Sequence, residues 1–318
     1  PPHQPVRRGY LFFSGVNNTQ MDDFWFEFVE ITQSIGDGFL FGSTYALIGI
    51  GFTLIFGAMG KLNVAYAATA MAGAYSSLAI YILFDASLVV IFIVSAICAA
   101  ILGYLVYLAC FRFIPVHNHL AALMASVGGL FFIDEVIVHA TRGSPLNFPS
   151  MFSEAYFEVG PYGIRGDLLF VFFIGLISTG VLLYVLFRTR LGLATRAVAQ
   201  QDVAARLCGM GIHSTNSTTF AVAGLLGGIA GAMTAAAVGI LSPVMMLPLT
   251  IKGLIVTVIG GLGSIPGAII AGLFVGSFEN VVMYFRGIDE RDMYVVALLF
   301  IFLVFRPNGL FGKTITRD

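Results

Sequence analysis

The sequence predicts an all-α polytopic bundle of about eight to nine membrane-spanning helices. Of 318 residues, 58% are hydrophobic and only 10% are charged, against about 25% charged in an ordinary soluble domain. Mean hydropathy is +0.93. The apolar residues also run on continuously for roughly 20 positions at a time, enough to cross about 30 Å of hydrocarbon as a helix. They do not alternate as in a transmembrane barrel. A water-soluble globular protein is excluded. A net charge of −1 leaves no basic footprint for nucleic acid. Cys98, Cys110 and Cys208 form neither a disulfide scaffold nor a Cys-x-x-Cys pair.

Reading along the chain, residues 1–34 form an N-terminal tail. Pro1 to Gln20 precede a candidate start at Met21, lack the apolar core of a secretory signal, and are read as an extension or expression remnant without function. Spans are expected at 35–57, 64–84, 88–111, 119–139, 168–187, 217–241, 244–260, 264–283 and 293–305. The stretch 244–283 is too long for one crossing and breaks at Gly260-Gly261-Leu262-Gly263-Ser264-Ile265-Pro266-Gly267, a helix-interrupting sequence. The last span is short, so its flanking arginines have to snorkel. Residues 35–312 make one transmembrane domain, with a loop at 188–212 and a tail at 313–318.

Charge orients the bundle. With the N-terminus outside, the cytoplasmic segments hold Lys61, Arg112, Arg188, Arg190, Arg196, Arg206, Arg306, Lys313 and Arg317, against the acids Asp202 and Asp318. An excess of Lys and Arg in short loops marks the cytoplasmic side. The acidic run of Asp22, Asp23, Glu27, Glu30 and Asp37 suits an outer tail. The C-terminus is then cytoplasmic.

Several motifs lead nowhere. Gly312-Lys313-Thr314 resembles the end of a phosphate-binding loop, but Pro307 stands where that loop needs glycine, and no strand and helix flank it. Any ATP is bound by another chain. The histidines, His3, His117, His119, His139 and His213, fall at loops or span ends. They offer no nucleophile–base pair within the membrane and no zinc set. The twin Asn-Pro-Ala loops of an aquaporin-type pore are absent. Catalysis is not expected, nor any cofactor. Small residues at four-residue spacing, Gly224/Gly228, Gly227/Gly231, Gly263/Gly267 and Gly272/Gly276, read mainly as close helix packing.

Ionisable groups within a membrane are costly and usually functional; here they are Asp134, Glu135, Lys252 and Glu279. In a hairpin turning near residue 264, Lys252 and Glu279 both lie about 18–23 Å from the turn. They are expected to pair, either as a structural ion pair or as a contact for solute, because an unpaired buried Lys would lose its charge. Asp134 and Glu135 either mark the outer end of their helix or serve the path.

The loop at 188–212 is the longest cytoplasmic piece. Asp202 is expected to cap a short helix and Gly209 to end it in a left-handed turn. Ala204, Ala205, Arg206 and Leu207 lie between, on a small surface suited to a partner's groove if it is more than a solvated connection.

With its Arg188-Thr189-Arg190-Leu191-Gly192 start and Gly209-x-Gly211-Ile212 end, this loop resembles the coupling loop of permease subunits of branched-chain amino acid ABC importers. Gly42 through Gly51 resembles that family's first-span motif. Lys252 through Ala268 resembles its glycine-rich segment, and Glu279 and Arg306-Pro307-x-Gly309 match as well. The likeness runs from about residue 21 to 312. It implies an inner-membrane permease domain working with a second permease subunit, two cytoplasmic ATPase subunits and a periplasmic substrate-binding protein, within membrane lipid. Asn63-Val64-Ala65-Tyr66-Ala67 departs from the family's usual Asn-Phe-x-His-Gly: Tyr66 replaces the His and Ala67 the Gly. Asp134 and Glu135 replace uncharged polar residues. Asn63 and Tyr66 therefore join the four ionisable residues as candidates for the translocation path. Family relatives also handle urea, short amides and other small polar solutes. The alternative from another class is a self-sufficient channel or secondary carrier for such a solute.

Overall fold

The computed structural model describes residues 16–84, 87–114, 118–149, 156–159 and 161–312. The tail 313–318, His3 and His117 lie outside the described residues. Among the described residues, eleven α-helices run in chain order: α1 (Val16–Met59), α2 (Tyr66–Phe84), α3 (Leu88–Val106), α4 (His119–Thr141), α5 (Gly166–Arg188), α6 (Arg190–Gln200), α7 (Asp202–Leu207), α8 (Ile212–Val238), α9 (Met246–Gly260), α10 (Ile265–Arg286) and α11 (Arg291–Phe305). Helix α3 continues through a π-helical turn, Tyr107–Phe111. Among the described residues, eight helices are long and apolar enough to cross a membrane. The spans read from the sequence fall on these, with three differences.

Helix α1 begins far ahead of residue 35. Most of the stretch read as a tail is helical from Val16 onward, because nothing between Val16 and Phe41 breaks a helix: there is no proline, and the glycines are single. The second difference is α8, which starts at Ile212 rather than 217. The third is the expected ninth span. Helix α11 has 15 residues and is not one of the eight. Beyond it the chain still returns to the end of α9, where Leu310 N–H donates to the Ile259 carbonyl at 2.8 Å and Phe311 N–H to that of Gly260 at 3.1 Å.

The segments 60–65, 112–114, 189–211, 261–264 and 306–312 lie at one end of the bundle, called here the basic end. The opposite end carries two small antiparallel pairs that an all-helical reading did not foresee. Strand β1 (Leu146–Asn147) pairs with β4 (Ile240–Leu241), Leu146 facing Leu241. Strand β2 (Tyr156–Val159) pairs with β3 (Tyr162–Arg165), and Gln33 Nε2 fastens this hairpin to α1 through the Gly163 carbonyl.

Helix association in lipid relies on close approach, because lipid tails are as apolar as the helix surfaces. Two glycine seams supply that approach. A Cβ at Gly276 of α10 would run into the Gly42 Cα and Gly38 carbonyl of α1, and one at Gly272 into Ala46. A Cβ at Gly224 or Gly228 of α8 would strike the Ala99 or Ser95 carbonyl of α3, where Ser95 Oγ also donates to the Gly228 carbonyl at 2.7 Å. Buried hydroxyls bond to carbonyls of the preceding turn, as Thr69 does to Tyr66 and Thr234 to Ala230; such donors have no water to turn to in a bilayer. Large apolar side chains such as Ile97, Phe132, Ile177 and Val181 face outward. Gly276→Val is expected to force α1 and α10 apart against backbone, costing at least about 1–3 kcal/mol. A lowered melting temperature of the detergent-solubilised protein would register it.

Candidate functional site

The core of the first candidate site is Lys252, on α9. Its side chain is buried, and Nζ lies 2.7 Å from Glu279 Oε1 on α10. The expected pair is thus formed, within a larger cluster. Asp292 Oδ1, in the first turn of α11, is 3.0 Å from Lys252 Nζ. Arg291 Nε reaches Glu279 Oε1 at 3.4 Å and Asp292 Oδ1 at 3.6 Å. Tyr45 of α1 accepts from Lys252 Nζ at 3.4 Å through its hydroxyl, with the ammonium 5.5 Å from its ring centre. Four helices thereby meet at one ammonium.

The first turn of α11 lies beside Lys252, and Arg291 turns onto Glu279. Glu279 keeps Oε2 buried and unpartnered. The sequence carried one signal for Tyr45, a hydroxyl within an otherwise apolar motif, since a buried Tyr usually finds a polar partner. It carried none for Asp292, whose placement depends on the turn at 287–290.

Asn63 and Tyr66 lie where the basic end meets the bundle, and both are almost fully buried. Tyr66 is wedged between α1 and α8: a Cβ at Gly51 would collide with its hydroxyl, and one at Gly227 would crowd its ring. The ring meets Phe52 edge-on at 4.9 Å. Neither Tyr66 OH nor Asn63 Oδ1 has a hydrogen-bond partner. Nearby, Lys61 donates to the Ile114 carbonyl at 3.5 Å, and burial holds its ammonium below the ordinary lysine pKa. Asp134 and Glu135 separate. Helix α4 runs past both to Thr141, so they do not mark its end. Glu135 is exposed, whereas Asp134 keeps Oδ1 buried without a partner.

At the basic end, the expected short helix is present as α7, and Gly209 has the left-handed φ of +80°. The capping residue is Gln201, one position earlier than expected, and Asp202 is the first helical residue. Ala205 packs inward, while Val203, Ala204, Arg206 and Leu207 are exposed. Ahead of it lies a second short helix that the sequence reading missed, α6, whose Thr189 side chain caps the Gly192 N–H. The signal was available: Thr189 is a good N-cap, followed by well-spaced apolar residues among polar ones. Beneath α6 is a cavity of about 550 Å³ lined by Thr53, Gly57, Arg196, Ser264 and Phe311 among others. Helix α6 packs against α1, α5 and α8, and the cavity lies between it and the α9–α10 turn.

Residues 34–305 match the family described as branched-chain amino acid transport system / permease component. The chain is 27% identical over 304 residues to the high-affinity branched-chain amino acid transport system permease protein LivH of Salmonella typhimurium, covering 90% of this chain and 97% of that one. It is 28% identical over 301 residues to the corresponding protein BraD of Pseudomonas aeruginosa, with the same coverages. It is also 24% identical over 294 residues to LivM of Escherichia coli, covering 85% of this chain and 68% of that one. With eight apolar helices and a family match across nearly all of them, the chain is a multi-pass inner-membrane protein and belongs to the permease components of the branched-chain amino acid transport system family.

Proposed function

We propose that this chain is one permease of an ATP-driven importer that moves branched-chain amino acids, or a related small polar solute, across the inner membrane. The observation that carries the reading is the end-to-end likeness to LivH and BraD, both named for that transport. Likeness to LivM as well supports pairing with a paralogous permease. Of two cytoplasmic ATPases, one would dock on α7 through Val203, Ala204, Arg206 and Leu207. A periplasmic protein would deliver solute at the other end. The excess of Lys and Arg in the segments of the basic end favours a cytoplasmic basic end and therefore an outer N-terminus. In this reading the chain contributes geometry and no catalytic group. ATP drives alternation through its unequal affinity for the two states, and α6 and α7 carry the push into the 35–312 domain.

The test is co-purification from native membranes in mild detergent, with mass spectrometry of the associated chains. An ATPase and a second polytopic subunit are expected. Recovery of this chain alone, or only with itself, would replace the reading with a self-sufficient channel or carrier.

A further inference from the structure

The cavity beneath α6, about 550 Å³, has the size of a ligand pocket, roughly 300–1,000 Å³. Its walls are mainly apolar, with Leu54, Leu183, Leu186 and Leu262 among them, yet Arg196 and Gln200 also line it. Arg196 is turned back onto the last turn of α5. Its guanidinium carbon lies 5.1 Å from the Phe187 ring centre, a cation–π contact, and Nε donates to the Gly192 carbonyl at 3.4 Å.

Two observations say what this cation meets. The first is the outward face of α5, one of the eight helices fit to cross a membrane. Phe173, Ile177, Val181, Tyr184 and Phe187 follow one another at helical spacing, and all are more than half exposed. Phe187 ends that stripe and is also a wall of the cavity, so the apolar surface of α5 runs directly into it. The second is charge. From Arg188 to Gln201 the chain holds Arg188, Arg190 and Arg196 and no acid. All three are exposed, and among the described residues none of them makes an ion pair. Arginines beside an apolar surface at the end of a span suit the anionic headgroup layer of a bilayer.

We infer that this cavity is a binding site for an anionic phospholipid of the leaflet at the basic end. Arg196 takes the phosphodiester through its paired N–H donors, and Gln200 offers its amide to the headgroup. The glycerol and first methylenes fill the apolar cavity, and an acyl chain continues along the α5 stripe. The absence of acids decides the headgroup class. A zwitterionic headgroup would bring an ammonium to a stretch without a carboxylate, whereas a mono-anionic one leaves no charge unpaired. A protein groove is less suited to Arg196, which lies at the foot of an apolar stripe, than to the exposed Arg206 and Leu207 of α7. Such a site needs neither solute nor ATPase to be occupied.

The test is native mass spectrometry of the full-length chain in detergent micelles, with phosphatidylglycerol, phosphatidylcholine or inorganic phosphate added at equal concentration. Phosphatidylglycerol is expected to stay bound when the micelle is stripped. Arg196→Gln should weaken its binding about tenfold, the equivalent of one charge-assisted hydrogen bond, and Arg196→Lys should recover part of the loss. Gly57→Leu fills the cavity without touching charge: a Cβ there meets only the Gly263 Cα, at 3.8 Å. It should exclude the lipid while the melting temperature of the lipid-free protein holds. Phosphatidylglycerol binding as tightly to Arg196→Gln as to the unaltered chain would overturn the site, and loss of a co-purifying ATPase from that variant would then assign Arg196 to a protein contact. Undiminished binding to Gly57→Leu would overturn it too, by placing the lipid outside the cavity. Equal retention of phosphatidylcholine would overturn the headgroup class, and retention of phosphate alone would replace the lipid with a free anion.

Discussion

Lys252→Met is expected to lower stability by about 3 kcal/mol or more, because removing one member of a buried ion pair leaves the other uncompensated. Glu279 would remain buried with one oxygen already lacking a partner. Arg291, 3.4 Å from the other oxygen, offsets part of the loss, so the effect belongs at the lower end of the range for buried pairs. Asp292 is half exposed and tolerates losing the ammonium. Combining Lys252→Met with Glu279→Gln should restore most of the stability, since Arg291 and Asp292 still have each other. Thermal melting of the purified protein checks this, and an unchanged melting temperature for Lys252→Met would refute the pair as a stabilising contact. Uptake separates the remaining roles. A double variant that melts normally and transports normally eliminates proton carriage by Glu279. One that melts normally but does not transport places these charges on the solute's route.

Arg206→Glu is expected to uncouple the importer: uptake falls about tenfold or more while ATP hydrolysis continues, as reversal of a complementary charge at an interface costs affinity and register. The fold should survive, because the inward contact of α7 is made by Ala205 and Arg206 is exposed. Neighbouring Leu207 is 86% exposed, an apolar surface on a helix too short to reach into the bilayer, which suits a protein groove. Parallel assays of hydrolysis and uptake on the reconstituted complex give the answer. Normal uptake would remove α7 from the docking surface.

The spans were legible because continuous apolar runs report burial in lipid without needing any partner to be known. The break at 260–267 was legible for a similar reason, since glycine and proline act locally. Lys252 and Glu279 could be paired in advance because a hairpin makes their depths a matter of counting. What stayed hidden depended on non-local placement. Asp292 joins the cluster only because the turn after α10 brings the start of α11 back beside Lys252, and no residue in that turn announces that placement. The start of α1 was not legible because the acidic run suits a tail, although a helix continues readily through charges once it leaves hydrocarbon. Residue type alone points to Asp202 as the cap, whereas Gln201 occupies that position by backbone conformation. Asp134 stood out as ionisable, but that its Oδ1 is buried without a partner depends on how α4 packs and could not be read locally.

The cluster at Lys252, Arg291, Glu279 and Asp292 balances two formal positive charges against two negative ones. A membrane potential does about 2.3 kcal/mol of work per elementary charge moved through 100 mV, and none on a group whose net charge is zero. These four side chains can therefore shift together along the membrane normal without voltage favouring either position. Whatever else in the cycle senses the potential, this cluster is electrically silent.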